Sequence, residues 1–130
     1  MSKLVLVDSS YWIRLVARHG DPFDELEARG DEFDFAINGI IWAEVIRGRS
    51  DPAIRERFEE GFSTLVFLNL TAGSWRRAAK LAWQLDRAGH VIGLPDLAIA
   101  TSALENDAAV LTFDRHFQSI PGLNVVDDLD

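Results

Sequence analysis

The sequence predicts an α/β protein, a three-layer α/β/α sandwich built on a mainly parallel sheet of four or five strands. Three observations predict it. Runs such as Leu4-Val5-Leu6-Val7 and Ala108-Ala109-Val110-Leu111 are apolar on both faces, the pattern of strands covered from both sides. The segments between such runs carry apolar residues at three- and four-residue spacing, the helical period. Strand-like and helical segments alternate, and chains of that kind wind a parallel sheet through helical crossovers.

Lys3 to Val7 is the first strand. Ser9 or Ser10 can cap the helix after it, whose apolar positions are Tyr11, Trp12, Leu15 and Val16. Asp21-Pro22 opens a second helix, marked by Phe23 and Leu26 and stopped at Gly30. Phe33 to Ile37 is the second strand, and Asn38 caps a helix reaching Gly48. Asp51-Pro52 opens a charged helix with Ile54, Phe58 and Phe62. Leu65 to Leu70 is the third strand. Thr71 caps a long amphipathic helix carrying Trp75, Ala78, Ala79, Leu81, Ala82 and Leu85, ended by Gly89. Leu94-Pro95-Asp96 begins an apolar helix to Glu105, and Ala108 to Thr112 is the fourth strand. A helical turn at His116-Phe117 precedes Pro121-Gly122, and Asn124 to Val126 is an edge strand. No repeat or low-complexity stretch divides the chain, so residues 1–130 read as one domain.

The composition is 48% hydrophobic, which excludes disorder, and no apolar run approaches the length of a membrane span. The run after Met1-Ser2-Lys3 is too short for a signal peptide, so a cytoplasmic location is the expectation. With no cysteine there is neither a disulfide framework nor a thiolate metal site. The formal charge of −8 has the wrong sign for coating a phosphate backbone. It leaves a nuclease open, because bound divalent ions reverse the local sign of an acidic site.

Four acids stand against apolar surroundings. Asp8 ends the first strand. Glu44 interrupts Ile40-Ile41-Trp42-Ala43-Glu44-Val45-Ile46. Asp96 opens an apolar helix, and Asp114 follows the fourth strand. Burying an unpaired carboxylate costs several kcal/mol, about 2–7 even for a neutral polar group, so four such placements point to one shared purpose. In open α/β sheets ligands bind beyond the carboxyl ends of the strands, where Asp8 and Asp114 fall. Oxygen ligands without cysteine select Mg²⁺ or Mn²⁺, and such ions activate water and stabilise the leaving oxygen of a phosphoryl displacement. Ordinary readings stand beside this one. Aspartate after a strand serves turns and caps, Asp96 suits any helix first turn, and Asp8 can cap the first helix. Glu44 has the poorest such alternative, since its six neighbours from Ile40 to Ile46 are apolar. The acids at Asp24, Glu25, Glu27, Glu56, Glu59 and Glu60 read as solvated surface, and Asp127, Asp128 and Asp130 as a mobile acidic tail.

These segments together resemble the PIN-domain nucleases, and within them the VapC-type toxins of toxin–antitoxin pairs. The resemblance rests on Val7-Asp8-Ser9-Ser10, on Trp42-Ala43-Glu44-Val45-Ile46-Arg47-Gly48, on Ile92-Gly93-Leu94-Pro95-Asp96-Leu97-Ala98-Ile99-Ala100, and on Leu111-Thr112-Phe113-Asp114-Arg115-His116-Phe117 leading to Ile120-Pro121-Gly122-Leu123. It implies a PIN-like fold with the four family acids on Asp8, Glu44, Asp96 and Asp114. It further implies a Mg²⁺- or Mn²⁺-dependent endoribonuclease held in check by a cognate VapB-type antitoxin. Ser10 and Thr112 fall where the family places small polar groups near the acids. Arg14, Arg47 and Arg115 lie close enough in sequence to the motifs to contact phosphate, and His116 is near enough to Asp114 to reach substrate. His19 and His90 read as surface residues. A homodimer is expected from the apolar, Trp-rich early helices, with Trp12, Trp42, Trp75 and Trp83 in core or interface.

Other classes fit less well. Asp8 is followed by Ser9-Ser10 rather than by a second aspartate at position 10, which disfavours haloacid dehalogenases. No lysine follows the Ala108–Thr112 strand, which disfavours a receiver domain. A non-catalytic metal- or RNA-binding module of the same fold and a related DNA-acting nuclease remain the alternatives.

Overall fold

The structure, a computed structural model, describes residues 3–18 and 20–129. Five parallel strands form one sheet in the order β3-β2-β1-β4-β5. They are β1 (Lys3–Val7), β2 (Phe33–Ile37), β3 (Val66–Phe67), β4 (Ala109–Leu111) and β5 (Val125–Val126). The helices are α1 (Ser9–Ala17), α2 (Asp24–Glu27), α3 (Gly39–Arg47), α4 (Pro52–Phe62), α5 (Ala72–Arg87) and α6 (Leu94–Glu105), and a 3₁₀ turn covers Arg115–Ser119. The α/β/α sandwich with a parallel sheet is therefore as the sequence predicts.

The register explains why the central strands are apolar throughout. β1 lies between two partners, with Leu6 opposite both Ala36 of β2 and Val110 of β4. Val5, Leu6, Val7, Ala36, Ile37, Val110 and Leu111 are all buried. The chain leaves β1 toward β2 and β3, then returns to place β4 on the opposite side. The direction of winding thus reverses between β1 and β4, and the crevice beyond their carboxyl ends is where such sheets bind ligands.

Several elements differ in extent from the sequence reading. The second helix is only Asp24–Glu27. Asp21 caps the preceding turn instead, accepting the Phe23 N–H at 2.9 Å and pairing with Arg57 at 2.7 Å. The third strand shrinks from Leu65–Leu70 to two residues. β2 ends at Ile37, where Asn38 turns the chain into α3, so the ladder stops once Leu68 N–H reaches the Ile37 carbonyl at 2.9 Å. The acidic end of the chain is tied down, because Leu129 packs into the core between the fold and the exposed Asp127 and Asp128. The readings of Asp130 and His19 lie outside the described residues.

The other helix boundaries follow from their caps. Asn38 Oδ1 accepts the Ile41 N–H at 3.0 Å, Asp51 accepts that of Ala53, and Thr71 and Ser74 form a reciprocal capping box. Gly89, just past the end of α5, holds a φ of 88°, a left-handed conformation that glycine alone adopts without strain.

Behind α1 lies an aromatic cluster. Trp12 is fully buried, stands 4.9 Å from Phe23, 5.9 Å from Phe58 and 5.2 Å from Phe62, and donates its indole N–H to the Val7 carbonyl at 3.1 Å. Tyr11 is buried as well. Tyr11 and Trp12 are thus spent inside the protomer, while Ile13 of α1 is exposed and Trp42 of α3 half-buried. Trp75 and Trp83 on α5 are exposed instead.

Phe23 reaches its place only because position 61 of α4 has no side chain. A Cβ there would fall inside the Phe23 ring. Gly61→Ala should lower stability by about 1–3 kcal/mol, the usual cost of overpacking. Chemical denaturation measures it, and Phe23→Leu added to Gly61→Ala should recover part of the loss by vacating the contested space.

Candidate metal centre at the carboxyl end of the sheet

Asp8 follows β1 directly and is only 4% exposed. It occupies the N-cap position of α1, but its side chain makes no capping bond; its backbone carbonyl takes the Tyr11 and Trp12 N–H groups. The carboxylate turns instead to hydroxyls. Oδ2 accepts from Ser10 at 2.9 Å and from Thr112 at 2.8 Å, and Oδ1 from Ser9 at 3.4 Å. These bonds offset the cost of burial. The capping role read for Ser9 and Ser10 is therefore wrong: both sit inside the helix and serve acids.

Glu44 lies in the second turn of α3 and is half-buried. Its Oε1 accepts from Ser9 at 2.9 Å, so one hydroxyl lies between Asp8 and Glu44. α3 is held against α6 by a buried link, the Asn38 side-chain amide donating to Ser102 Oγ at 3.1 Å. The same two residues thereby fix the helix of Glu44 relative to the helix of Asp96.

Asp96 lies in the first turn of α6, half-buried. Its carboxyl is pushed up to about 6, first by burial and then by the negative charges of Asp114, Asp8 and Glu44. Carboxylates from four separate segments thus share one electrostatic neighbourhood. Asp114 leads into the 3₁₀ turn, where its Oδ1 accepts the His116 N–H at 2.9 Å. Its own N–H donates to Thr112 Oγ1 at 3.0 Å, while the Phe113 N–H donates to Ser10 Oγ at 3.1 Å. One ligand atom each of Asp96, Asp114 and His116 lies within 4.8 Å of the others.

The donor set fits a divalent cation, with hard carboxylate oxygens converging and charges that raise one of their own members. Of the other sequence candidates, Arg14 lies 3.9 Å over the Phe113 ring, which stacks on Tyr11. Arg14 and Arg115 line a cleft of about 680 Å³ together with Asp114, Gln118, Asp127 and Asp128. Arg47 is exposed in the last turn of α3. The sequence reading missed Ser9 as a partner of Glu44. Its signal was the unneeded second serine after Asp8, since one cap suffices.

The PIN domain family model matches residues 5–123. The chain is 25% identical to ribonuclease VapC2 of Rickettsia felis over 126 residues, 92% of this chain and 94% of that protein. Among solved structures it is similar to the VapBC2 complex of Rickettsia felis bound to a promoter DNA fragment. The TM-score is 0.79 at 22% identity, covering 95% of this chain and 97% of that one, a likeness of fold. A toxin–antitoxin complex from Klebsiella pneumoniae matches with a TM-score of 0.72 at 26% identity over 94% and 95% of the two chains.

The raised Asp96 gives a pH dependence with a definite sign. A carboxyl raised in the folded state contributes stability at low pH that is lost as pH rises from the unfolded value near 4 through about 6. In EDTA at pH 7.5, Asp96→Asn should therefore melt at or above the parent, and this advantage should vanish at pH 4. An ordinary helix-start role for Asp96 predicts a lower melting point for the variant at pH 7.5, since the helix dipole then loses its anion. Thermal melts at the two pH values decide between them.

Proposed function

The chain belongs to the PIN domain family, and on that premise we propose that it is a Mg²⁺- or Mn²⁺-dependent endoribonuclease, the toxin of a toxin–antitoxin pair. The observation that carries this reading is the gathering of Asp8, Glu44, Asp96 and Asp114 from four segments at the switch point of a parallel sheet. The ribonuclease name of the Rickettsia felis relative and the antitoxin complexes among the similar structures support it.

In this reading the four carboxylates hold the cation. A divalent ion bound there supplies a local positive charge that lowers the barrier to phosphodiester hydrolysis. Ser10 and Thr112 hold the carboxylate of Asp8 from opposite elements, and Ser9 holds Glu44. Arg14 and Arg115, beside Asp114, receive the phosphates flanking the scissile bond, and the exposed Arg47 at the end of α3 is a further candidate phosphate contact. The protein acts in the cytoplasm; among the described residues no helix is long and apolar enough to cross a membrane. A homodimer belongs to the reading too, through the exposed apolar side of α5 with Trp75 and Trp83.

Purified protein should cut single-stranded or looped RNA with Mg²⁺ or Mn²⁺ and stop in EDTA. Asp8→Asn and Asp96→Asn should each slow cleavage by about a hundredfold or more, equivalent to about 2.7 kcal/mol of barrier. Circular dichroism confirms that the variants stay folded. RNA cleavage that persists in EDTA, or at full rate in Asp96→Asn, would rule the metal mechanism out.

The cognate VapB-type antitoxin should be a short chain whose tail folds on binding. An Arg or Lys of that tail should reach the acid cluster and take up the charge the cation otherwise balances. Replacing it with Ala should restore RNA cleavage in the intact complex, which gel assays would follow. Persistent inhibition by the Ala variant would place the block elsewhere on the toxin.

A further inference from the structure

His116 stands outside the carboxylate set yet is fastened to it. Its backbone N–H donates to Asp114 Oδ1 at 2.9 Å, and its ring Nδ1 lies 3.2 Å from the same oxygen. The turn that carries it is anchored by Phe117, which is fully buried. The backbone at His116 is thus fixed, while its side chain remains 76% exposed. A surface ion pair would require Asp114 alone. Here a ligand atom of Asp96, on a different helix, closes the group to within 4.8 Å.

We infer that His116 is a nitrogen ligand of the cation held by Asp96 and Asp114, so that this position is a mixed carboxylate–imidazole site that ranks Mn²⁺ above Mg²⁺. The inference rests on the metal-dependent reading above and deepens it. Nitrogen and oxygen ligands sit about 2.0–2.2 Å from a transition ion, so two ligands of one ion lie within about 4.4 Å of each other. Even at the 4.8 Å limit the group needs a shift of only a few tenths of an ångström, which an exposed imidazole can make by rotating about its side-chain bonds. Mg²⁺ is hard and takes oxygen almost exclusively, whereas first-row transition ions accept imidazole and bind such mixed sets more tightly. All-carboxylate coordination would discriminate little between the two ions. The imidazole supplies the discrimination.

The test uses the full chain with MnCl₂ alone or MgCl₂ alone, comparing the parent, His116→Ala and Asp96→Asn. Electron spin-echo modulation of bound Mn²⁺ should show a directly coordinated ¹⁴N in the parent and none in His116→Ala. Isothermal titration should show Mn²⁺ binding weakened roughly tenfold or more in His116→Ala, with Mg²⁺ affinity changed by less than about threefold. The exposed ring makes His116→Ala safe for folding, which circular dichroism verifies. Nitrogen modulation that survives in His116→Ala, or a Mn²⁺ affinity unchanged there while Asp96→Asn abolishes it, would overturn the imidazole ligand and leave the carboxylate site standing. A parent that binds neither ion would overturn both.

Discussion

One buried carboxylate holds the functional end of this fold together. Asp8 is almost without solvent, and its charge is tolerated because hydroxyls from both sides of the β1–β4 junction donate to it. A hydroxyl donates and accepts at once, and here both capacities are used. Thr112 gives its proton to Asp8 and takes the N–H of Asp114, and Ser10 gives to Asp8 and takes the N–H of Phe113. The position of Asp8 therefore dictates where the backbone of Asp114 lies. Through Ser9 it also reaches Glu44, which belongs to a helix thirty-five residues away in sequence.

Such a cluster opposes folding, and the rest of the molecule must outweigh it. The raised Asp96 is the visible mark of that opposition, since its charge is disfavoured first by burial and then by the three neighbouring acids. The compensation lies directly behind the site. Trp12 begins two residues after Ser10 and enters an aromatic core with Phe23, Phe58 and Phe62, each worth roughly 1.5–3 kcal/mol on burial. The helix that carries the hydroxyls is thus pinned by its opposite face. The burial and charge repulsion at Asp96 are thus offset by packing elsewhere in the fold.

Much of this was legible in the sequence because it depends on local pattern. Asp8 and Asp114 were readable from the ends of apolar strands, and Glu44 from its apolar neighbours, since a lone acid there has no local reason to exist. Caps at Asn38, Asp51 and Thr71 were readable because the capping bond spans only two or three residues. What escaped was long-range. Ser9 looks like a cap until Glu44 arrives from a distant segment to claim its hydroxyl, whereas Ser10 and Thr112 were placed near the acids only by the resemblance and not by local pattern. The extent of β3 was set by where its neighbour β2 ends. Trp12 and Trp75 both fall on the apolar positions of their helices, yet one is buried and the other 44% exposed. Phe58 and Phe62 of α4 cover Trp12, and no local period encodes that packing.

The sign of the charge ties these features to substrate. A chain of net charge −8 repels a phosphate backbone, and the proposed function sets the scissile phosphate beside four clustered acids. Arg14 and Arg115 do not cancel this, because the cleft they line also holds Asp114, Asp127 and Asp128. On the proposed function, approach of a phosphodiester would depend on an added cation, which would lower the repulsion among the four acids and present positive charge to the phosphate. An antitoxin side chain with a fixed positive charge would relieve the same repulsion while closing the same space. On that proposal, activation and inhibition would be two ways of neutralising one cluster, distinguished by whether the neutralising charge leaves room for RNA.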